Sequence, residues 1–287
     1  MIHTKPKMVV DEKSVIGECP LWHPLEKKVY WLDIGSASIY RYDPEKKSHE
    51  RVYHGIRVGG FTIQADGTLL LFMERGAVGI LKNGELSFVI DEIPEERDTR
   101  FNDVIADPEG RVFCGTMPTK DRPGRLYRLD PNGTLTKILD GIEISNGMGF
   151  TVDRKQMYFT DSGKGEIYRF DYDQKRGEID NKRLFLRVPQ SEGEPDGMTV
   201  DAEGHVWTAR WNGGCVVRYA PNGKEVLRIY FPAKKVSCVS FGGEDYRDIY
   251  VTTAGGDNRE EEGSGAGALF SLKSDIQGLP EFLSRVQ

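Results

Sequence analysis

One pattern recurs six times along this chain and restricts its fold more than any other feature. Each copy has an apolar strand ending in an acidic or Gly-containing turn, then a second strand rich in Val, Tyr, Phe or Trp. A third strand of the type Ile-Tyr-Arg-Tyr-Asp follows after a polar or Gly gap. The first copy reads Pro20-Leu21-Trp22-His23-Pro24, Val29-Tyr30-Trp31-Leu32-Asp33 and Ile39-Tyr40-Arg41-Tyr42-Asp43. The fourth reads Gly149-Phe150-Thr151-Val152-Asp153, Met157-Tyr158-Phe159-Thr160-Asp161 and Ile167-Tyr168-Arg169-Phe170-Asp171. From Asp66 to Asp107, Asp153, Asp201 and Asp245 the steps are 41, 46, 48 and 44 residues.

An all-β period of about 40–50 residues is the signature of propeller blades. Each blade is a small twisted sheet that cannot bury both faces alone, so blades pack side by side around an axis. The expected fold is therefore all-β: a six-bladed β-propeller with four-stranded blades around a central channel, as one domain over residues 1–287. The segment before residue 18 is too short for its own blade and is expected to add a strand to the sixth, C-terminal one. A β-sandwich or two stacked barrels would account less well for six equivalent units.

Composition narrows the class of partner. With 39 Lys+Arg against 45 Asp+Glu the formal charge is −6. Phosphate binding wants a basic face, so no nucleic-acid partner is expected. No apolar run approaches the 18 residues that would span a bilayer, so no membrane partner is expected either. Met1-Ile2-His3-Thr4-Lys5-Pro6-Lys7 leads straight into Val9-Val10-Asp11-Glu12 without an apolar h-region. The expectation is a cytoplasmic protein with no protein partner in evidence. Four cysteines (Cys19, Cys114, Cys215, Cys238) lie far apart without a C-x-x-C pair, which reads as reduced and mostly buried thiols.

In a propeller the first strand of each blade lines the channel, so polar residues just upstream of it should converge. Glu18 stands six residues before Pro24, Asn102 five before Asp107, Asn146 seven before Asp153, and Asp196 five before Asp201. Copies two and six carry Val58-Gly59-Gly60 and Val236-Ser237-Cys238 there, which are poor ligands. Two carboxylates and two amides form an all-oxygen donor set, the chemistry of a hard divalent cation such as Ca²⁺, Mg²⁺ or Mn²⁺. Taken singly, each has a plainer explanation. Ser145-Asn146-Gly147 and Pro195-Asp196-Gly197 are ordinary turn sequences. Glu18 reads as a solvated loop residue, and Asn102 as a strand-start partner. Their coincidence at one repeat position favours a site.

At these residues the chain resembles the SMP-30/gluconolactonase/luciferin-regenerating family of six-bladed propellers. The carriers are Gly17-Glu18-Cys19-Pro20-Leu21-Trp22, Arg100-Phe101-Asn102-Asp103, Gly115-Thr116-Met117, Ser145-Asn146-Gly147-Met148-Gly149-Phe150 and Pro195-Asp196-Gly197-Met198. The resemblance implies a metal-dependent lactonase of carbohydrate metabolism that opens a sugar-acid lactone. It implies one divalent metal ion, Ca²⁺ first, with Mg²⁺, Mn²⁺ or Zn²⁺ as alternatives. By the same resemblance Glu18, Asn146 and Asp196 are metal ligands, and Asp196 is also the proton acceptor. Arg100 and Asn102 would meet the substrate's oxygens, which moves Asn102 from metal ligand to substrate contact.

After Gly-Thr-Met the animal members carry acidic substrate-binding residues, whereas this chain has Pro118-Thr119-Lys120-Asp121-Arg122-Pro123-Gly124. Lys120 and Asp121 are the substrate-binding candidates at this place. The stretch reads either as an exposed loop that varies freely or as a pocket altered toward an anionic lactone, and the first is preferred. Gly263-Ser264-Gly265-Ala266-Gly267 follows an acidic run and precedes a strand, the wrong context for a dinucleotide fingerprint, and is read as a flexible loop. No Gly-x-Ser-x-Gly elbow exists and the histidines show no paired spacing, which leaves a carboxylate as the best base. Two other classes stay open: another metal-dependent hydrolase on this scaffold, of phosphotriesterase type, and a non-enzymatic binding propeller.

Overall fold

The computed structural model describes residues 5–287. Residues 1–4, including His3 and the start of the stretch read above for a leader, lie outside the described residues. Strand β1 (Lys7–Val10) precedes the first copy, which folds as β2 (Gly17–His23), β3 (Lys28–Asp33), β4 (Ser38–Asp43) and β5 (Ser48–His54). The second copy is β6 (Val58–Ile63), β7 (Leu69–Met73), β8 (Val78–Lys82) and β9 (Glu85–Ile90). The third is β10 (Phe101–Ala106), β11 (Val112–Thr116), β12 (Gly124–Leu129) and β13 (Leu135–Ile142). The fourth is β14 (Ser145–Phe150), β15 (Gln156–Asp161), β16 (Glu166–Asp173) and β17 (Glu178–Arg187). The fifth is β18 (Glu194–Val200), β19 (Val206–Trp211), β20 (Cys215–Tyr219) and β21 (Glu225–Tyr230). The sixth is β22 (Val236–Gly242), β23 (Asp248–Thr253) and β24 (Leu269–Lys273).

Each of the first five copies forms one four-stranded sheet in sequential order, and the sixth has the order β1-β24-β23-β22. This is the blade set of a six-bladed β-propeller. As expected, the N-terminal segment completes the last sheet, with Lys7 opposite Ser271 and Met8 opposite Phe270. Helix among the described residues is confined to α1 (Arg259–Glu262) and three short 3₁₀ turns, none able to cross a membrane. The four cysteines are thiols, three buried and Cys19 half-buried.

The acid that sets the period is a turn former. Asp107 Oδ1 accepts the Glu109 and Arg111 amides at 2.8 and 3.0 Å, and Asp201 Oδ1 accepts those of Glu203 and His205, both at 3.0 Å. Such local bonds close the hairpin between the first and second strands of a copy. The inner strands are apolar on both faces, as in the wholly buried β7, Leu69-Leu70-Leu71-Phe72-Met73. The outer strands, such as the mostly exposed Ser48-His49-Glu50-Arg51-Val52-Tyr53-His54 of β5, carry little apolar periodicity. They are accordingly hard to find in the sequence.

The chain gathers into two compact units. One holds the segment up to Gly55 with Leu186–Pro280, where β22 packs against both β2 and β18, and its Val239 and Phe241 share a core with Trp207 of β19 and Phe270 of β24. The other holds Ile56–Phe185 with Glu281–Gln287, where β10 packs against β6 and β14. The C-terminal tail is stitched to the residue after β6 there: Val286 N donates to Gln64 Oε1 at 2.9 Å, and Gln64 Nε2 donates back to Val286 O at 3.1 Å. The glycine-rich stretch read as flexible is pinned instead. Gly265 N donates to Pro232 O at 2.7 Å, and Gly267 O accepts Ser14 N at 2.9 Å.

Candidate active site

The site residues expected upstream of the first strands lie inside them. In every sheet the first strand makes one or two pairs near the end of the second strand and then slips register. They include Gly17–Asp33, Val58–Met73, Phe101–Thr116, Ser145–Asp161, Pro195–Arg210 and Val236–Thr253. The residue that follows is Glu18, Gly59, Asn102, Asn146, Asp196 or Ser237, so all four polar candidates border the slip, Glu18 and Asn146 as the last paired residue and Asn102 and Asp196 as the first unpaired one. A β-bulge bends the strand and re-aims the side chain there. The turn explanation of Asn146 and Asp196 fails, since both sit in strands and neither Gly147 nor Gly197 has a positive φ. Glu18 is no solvated loop residue either, being 6% exposed.

In copies three and four the side chains interlock. Asn102 Nδ2 donates to Ser145 O at 2.8 Å and lies 3.4 Å from Asn146 Oδ1. Asn102 Oδ1 accepts Arg100 Nη1 at 2.6 Å, and the same nitrogen donates to Phe101 O at 2.8 Å. Asn146 Nδ2 donates to Ser162 Oγ at 2.9 Å, which turns its oxygen toward Asn102. The structure thus brings Arg100, Asn102 and Asn146 into one group. Copy two has no side chain at this position for a steric reason. A Cβ on Gly59 would lie 1.8 Å from Phe101 O.

In copies one and five the candidates are buried carboxylates on the two strands that flank β22, Glu18 on β2 and Asp196, 4% exposed, on β18. Cys19, next to Glu18, adopts a left-handed φ of 52° and donates its amide to Glu18 Oε2 at 3.2 Å. Gly197 is required by close approach, because a Cβ there would meet Cys238 Sγ at 2.3 Å.

Lys120 and Asp121 are not brought to this group. They are exposed on a turn closed by Thr119 N donating to Arg122 O at 2.8 Å. Neither side chain makes a hydrogen bond or ion pair among the described residues. The turn starts beside Arg100, since Met117 N donates to Arg100 O at 3.0 Å. It is anchored by the fully buried Glu96, which accepts Arg122 Nη2 at 2.6 Å, Arg125 Nη1 at 3.1 Å and Tyr127 Oη at 2.6 Å. Glu96 had no signal in the repeat pattern. Asp103, which closes the Arg-Phe-Asn-Asp motif, likewise carries no signal in the repeat pattern. It is half-buried, and desolvation pushes its carboxyl up to about 7 against the opposing pull of Arg100.

The SMP-30/Gluconolactonase/LRE-like region profile matches residues 16–255. The chain belongs to this family. Pentonolactonase XacC of Haloferax volcanii is 48% identical over 289 residues, covering 97% of this chain and 98% of that one. Human regucalcin is 32% identical over 285 residues and 95% of each chain. A calcium-binding protein, regucalcin from Agrobacterium tumefaciens, has the same fold, with a TM-score of 0.92 at 24% identity over 99% of this chain and 98% of that one.

For a member of the SMP-30/gluconolactonase/LRE-like family, the donor chemistry suits a hard cation. Glu18, Asn146 and Asp196 offer two carboxylates and an amide oxygen, all nine-tenths or more buried. Among the described residues no three His, Cys, Asp or Glu side chains converge as ligands. Buried carboxylates are costly unless positive charge accompanies them, and hard cations prefer oxygen.

Proposed function

We propose that this protein is a metal-dependent lactonase that opens a sugar-acid lactone to the free acid. The observation that carries the reading is that Glu18, Asn102, Asn146 and Asp196 all border the register slip of a first strand, with Arg100 bound to Asn102. Family membership supports it, as does the extent of similarity to a protein named a pentonolactonase. That name favours a five-carbon aldonolactone as substrate, within the wider gluconolactonase-like class.

Glu18, Asn146 and Asp196 would hold one divalent cation, Ca²⁺ before Mg²⁺, Mn²⁺ or Zn²⁺. When bound, such an ion supplies Lewis acidity toward the lactone carbonyl and steadies negative charge on its oxygen. Asp196 takes a proton from the attacking water and returns it to the departing ring alkoxide. A carboxylate in this role contributes typically about 10²–10⁴ in rate. Arg100 and Asn102 orient the substrate through its oxygens. Their mutual bond at 2.6 Å fixes the guanidinium before the substrate arrives, which lowers the entropic cost of binding.

Chelator-stripped protein tested against a panel of pentono- and hexonolactones, with an organophosphate alongside, decides the matter. Lactone turnover should vanish on stripping and return with several divalent ions to different extents, because all-oxygen sites discriminate weakly among hard cations. Full lactone turnover in verified metal-free protein would refute the mechanism. Organophosphate turnover in the absence of any lactone turnover would put the phosphotriesterase class in its place.

A further inference from the structure

Two carboxylates outside the ligand set occupy equivalent places behind two of its members. Asp33 ends β3 opposite Gly17, and Asp161 ends β15 opposite Ser145. Asp33 Oδ1 accepts Ile16 N at 2.9 Å and Gly35 N at 3.1 Å, and Oδ2 accepts Val15 N at 3.2 Å. Asp161 Oδ1 accepts Ile144 N at 3.0 Å and Glu143 N at 3.1 Å. Each acid therefore gathers the two amides that lie immediately before its own first strand. The backbone follows suit, with Ile34 N donating to Ile16 O at 2.9 Å and Ser162 N to Ile144 O at 3.0 Å. In both copies the next residue but one after the tied segment is the candidate ligand, Glu18 or Asn146.

The other copies lack this device. The equivalent places hold Met73, Thr116, Arg210 and Thr253. In copy five, which carries Asp196, the residue opposite Arg210 is Pro195. Its ring sets φ and it has no amide to tie. A carboxylate accepting backbone N–H groups forms charge-assisted bonds, which hold a strand entry more firmly than neutral ones. Both acids are almost wholly buried, at 4% and 1% exposure, so solvent does not compete for these bonds.

We infer that Asp33 and Asp161 are positioning residues that set the strand entries so that Glu18 and Asn146 present oxygen to a divalent cation. The inference rests on the reading that those two residues hold such an ion. Residues behind metal ligands typically contribute about 10–100-fold in metal affinity. Asp33→Asn and Asp161→Asn each remove the charge and turn one acceptor into a donor facing a backbone N–H. Ligand identity is untouched.

The test is calorimetric titration of the chelator-stripped full chain with Ca²⁺ and with Mn²⁺, in parallel with lactone kinetics at saturating metal. Each variant should bind the ion roughly 10-fold or more weakly, while kcat at saturating metal stays within a few-fold of wild type. Should an Asn variant fail to fold, Asp33→Glu and Asp161→Glu take its place. Each keeps the charge but changes its reach to the two tied amides; weaker binding is expected of both. Wild-type affinity in the folded variants overturns the positioning role and leaves the metal reading standing. A collapse of kcat with unchanged affinity overturns it too. A wild-type chain that binds neither ion overturns both readings.

Discussion

The amide of Asn102 bridges two strand entries, donating to the Ser145 carbonyl at 2.8 Å and lying 3.4 Å from the Asn146 oxygen. Asn102 and Asn146 are therefore set jointly, and Arg100 is held on the far side of the same amide. A change at Asn102 should be felt at three residues.

Asn102→Ala should accordingly lower both stability and activity. It leaves the buried Ser145 carbonyl without this donor and removes an acceptor from Arg100. An unmet buried polar group costs about 1–3 kcal/mol, which urea unfolding would resolve. Lactone turnover should fall further than stability accounts for, since Arg100 loses its orientation. Equal turnover per folded molecule would reduce Asn102 to a structural tie.

Asp196→Asn keeps size and an oxygen donor but cannot accept the proton. Turnover at saturating metal should fall by roughly 10²-fold or more. Thermal stability in the same buffer should change far less. Turnover close to wild type would move the base elsewhere, with Glu18 the next candidate.

Asp103 gives a pH signature. Its carboxyl is raised to about 7 by desolvation, with Arg100 pulling the other way, whereas an unfolded Asp titrates near about 4. Between those values the folded chain binds more protons than the unfolded one. The contribution is full below about pH 4 and is lost as pH rises through 7. Asp103→Asn should flatten that decline when unfolding midpoints are measured in chelator from pH 4 to pH 8. An unchanged slope would show that the folded carboxyl titrates normally.

Glu96→Ala removes the acid shared by Arg122, Arg125 and Tyr127, and leaves two largely buried cations short of their partner. Breaking a buried pair from one side costs about 3–5 kcal/mol. Amide exchange should rise first in residues 117–125, the turn that carries Lys120 and Asp121. Protection unchanged there would mean that Thr119 and the strand bonds suffice to hold the turn.

Much was legible in the residues themselves. Six copies of a β-pattern predict six blades, because strand periodicity and Asx-turn chemistry are local and are written at fixed offsets, as at Asp107 and Asp201. The equivalence of Glu18, Asn102, Asn146 and Asp196 was also readable by comparing copies, without knowing where any side chain points. Other features depended on pairing between distant segments. The bulge that takes these residues out of turns and into strands is a property of register, and register is set by the partner strand. The amides of Asn102 and Asn146 meet only because β10 packs on β14. Lys120 and Asp121 point to solvent because buried Glu96 holds Arg122, a contact between residues 26 apart that no local pattern encodes. Local chemistry thus determined the repeat and the identity of the donors, while tertiary packing alone decided their orientation, since a side chain's direction follows from the backbone it is paired against.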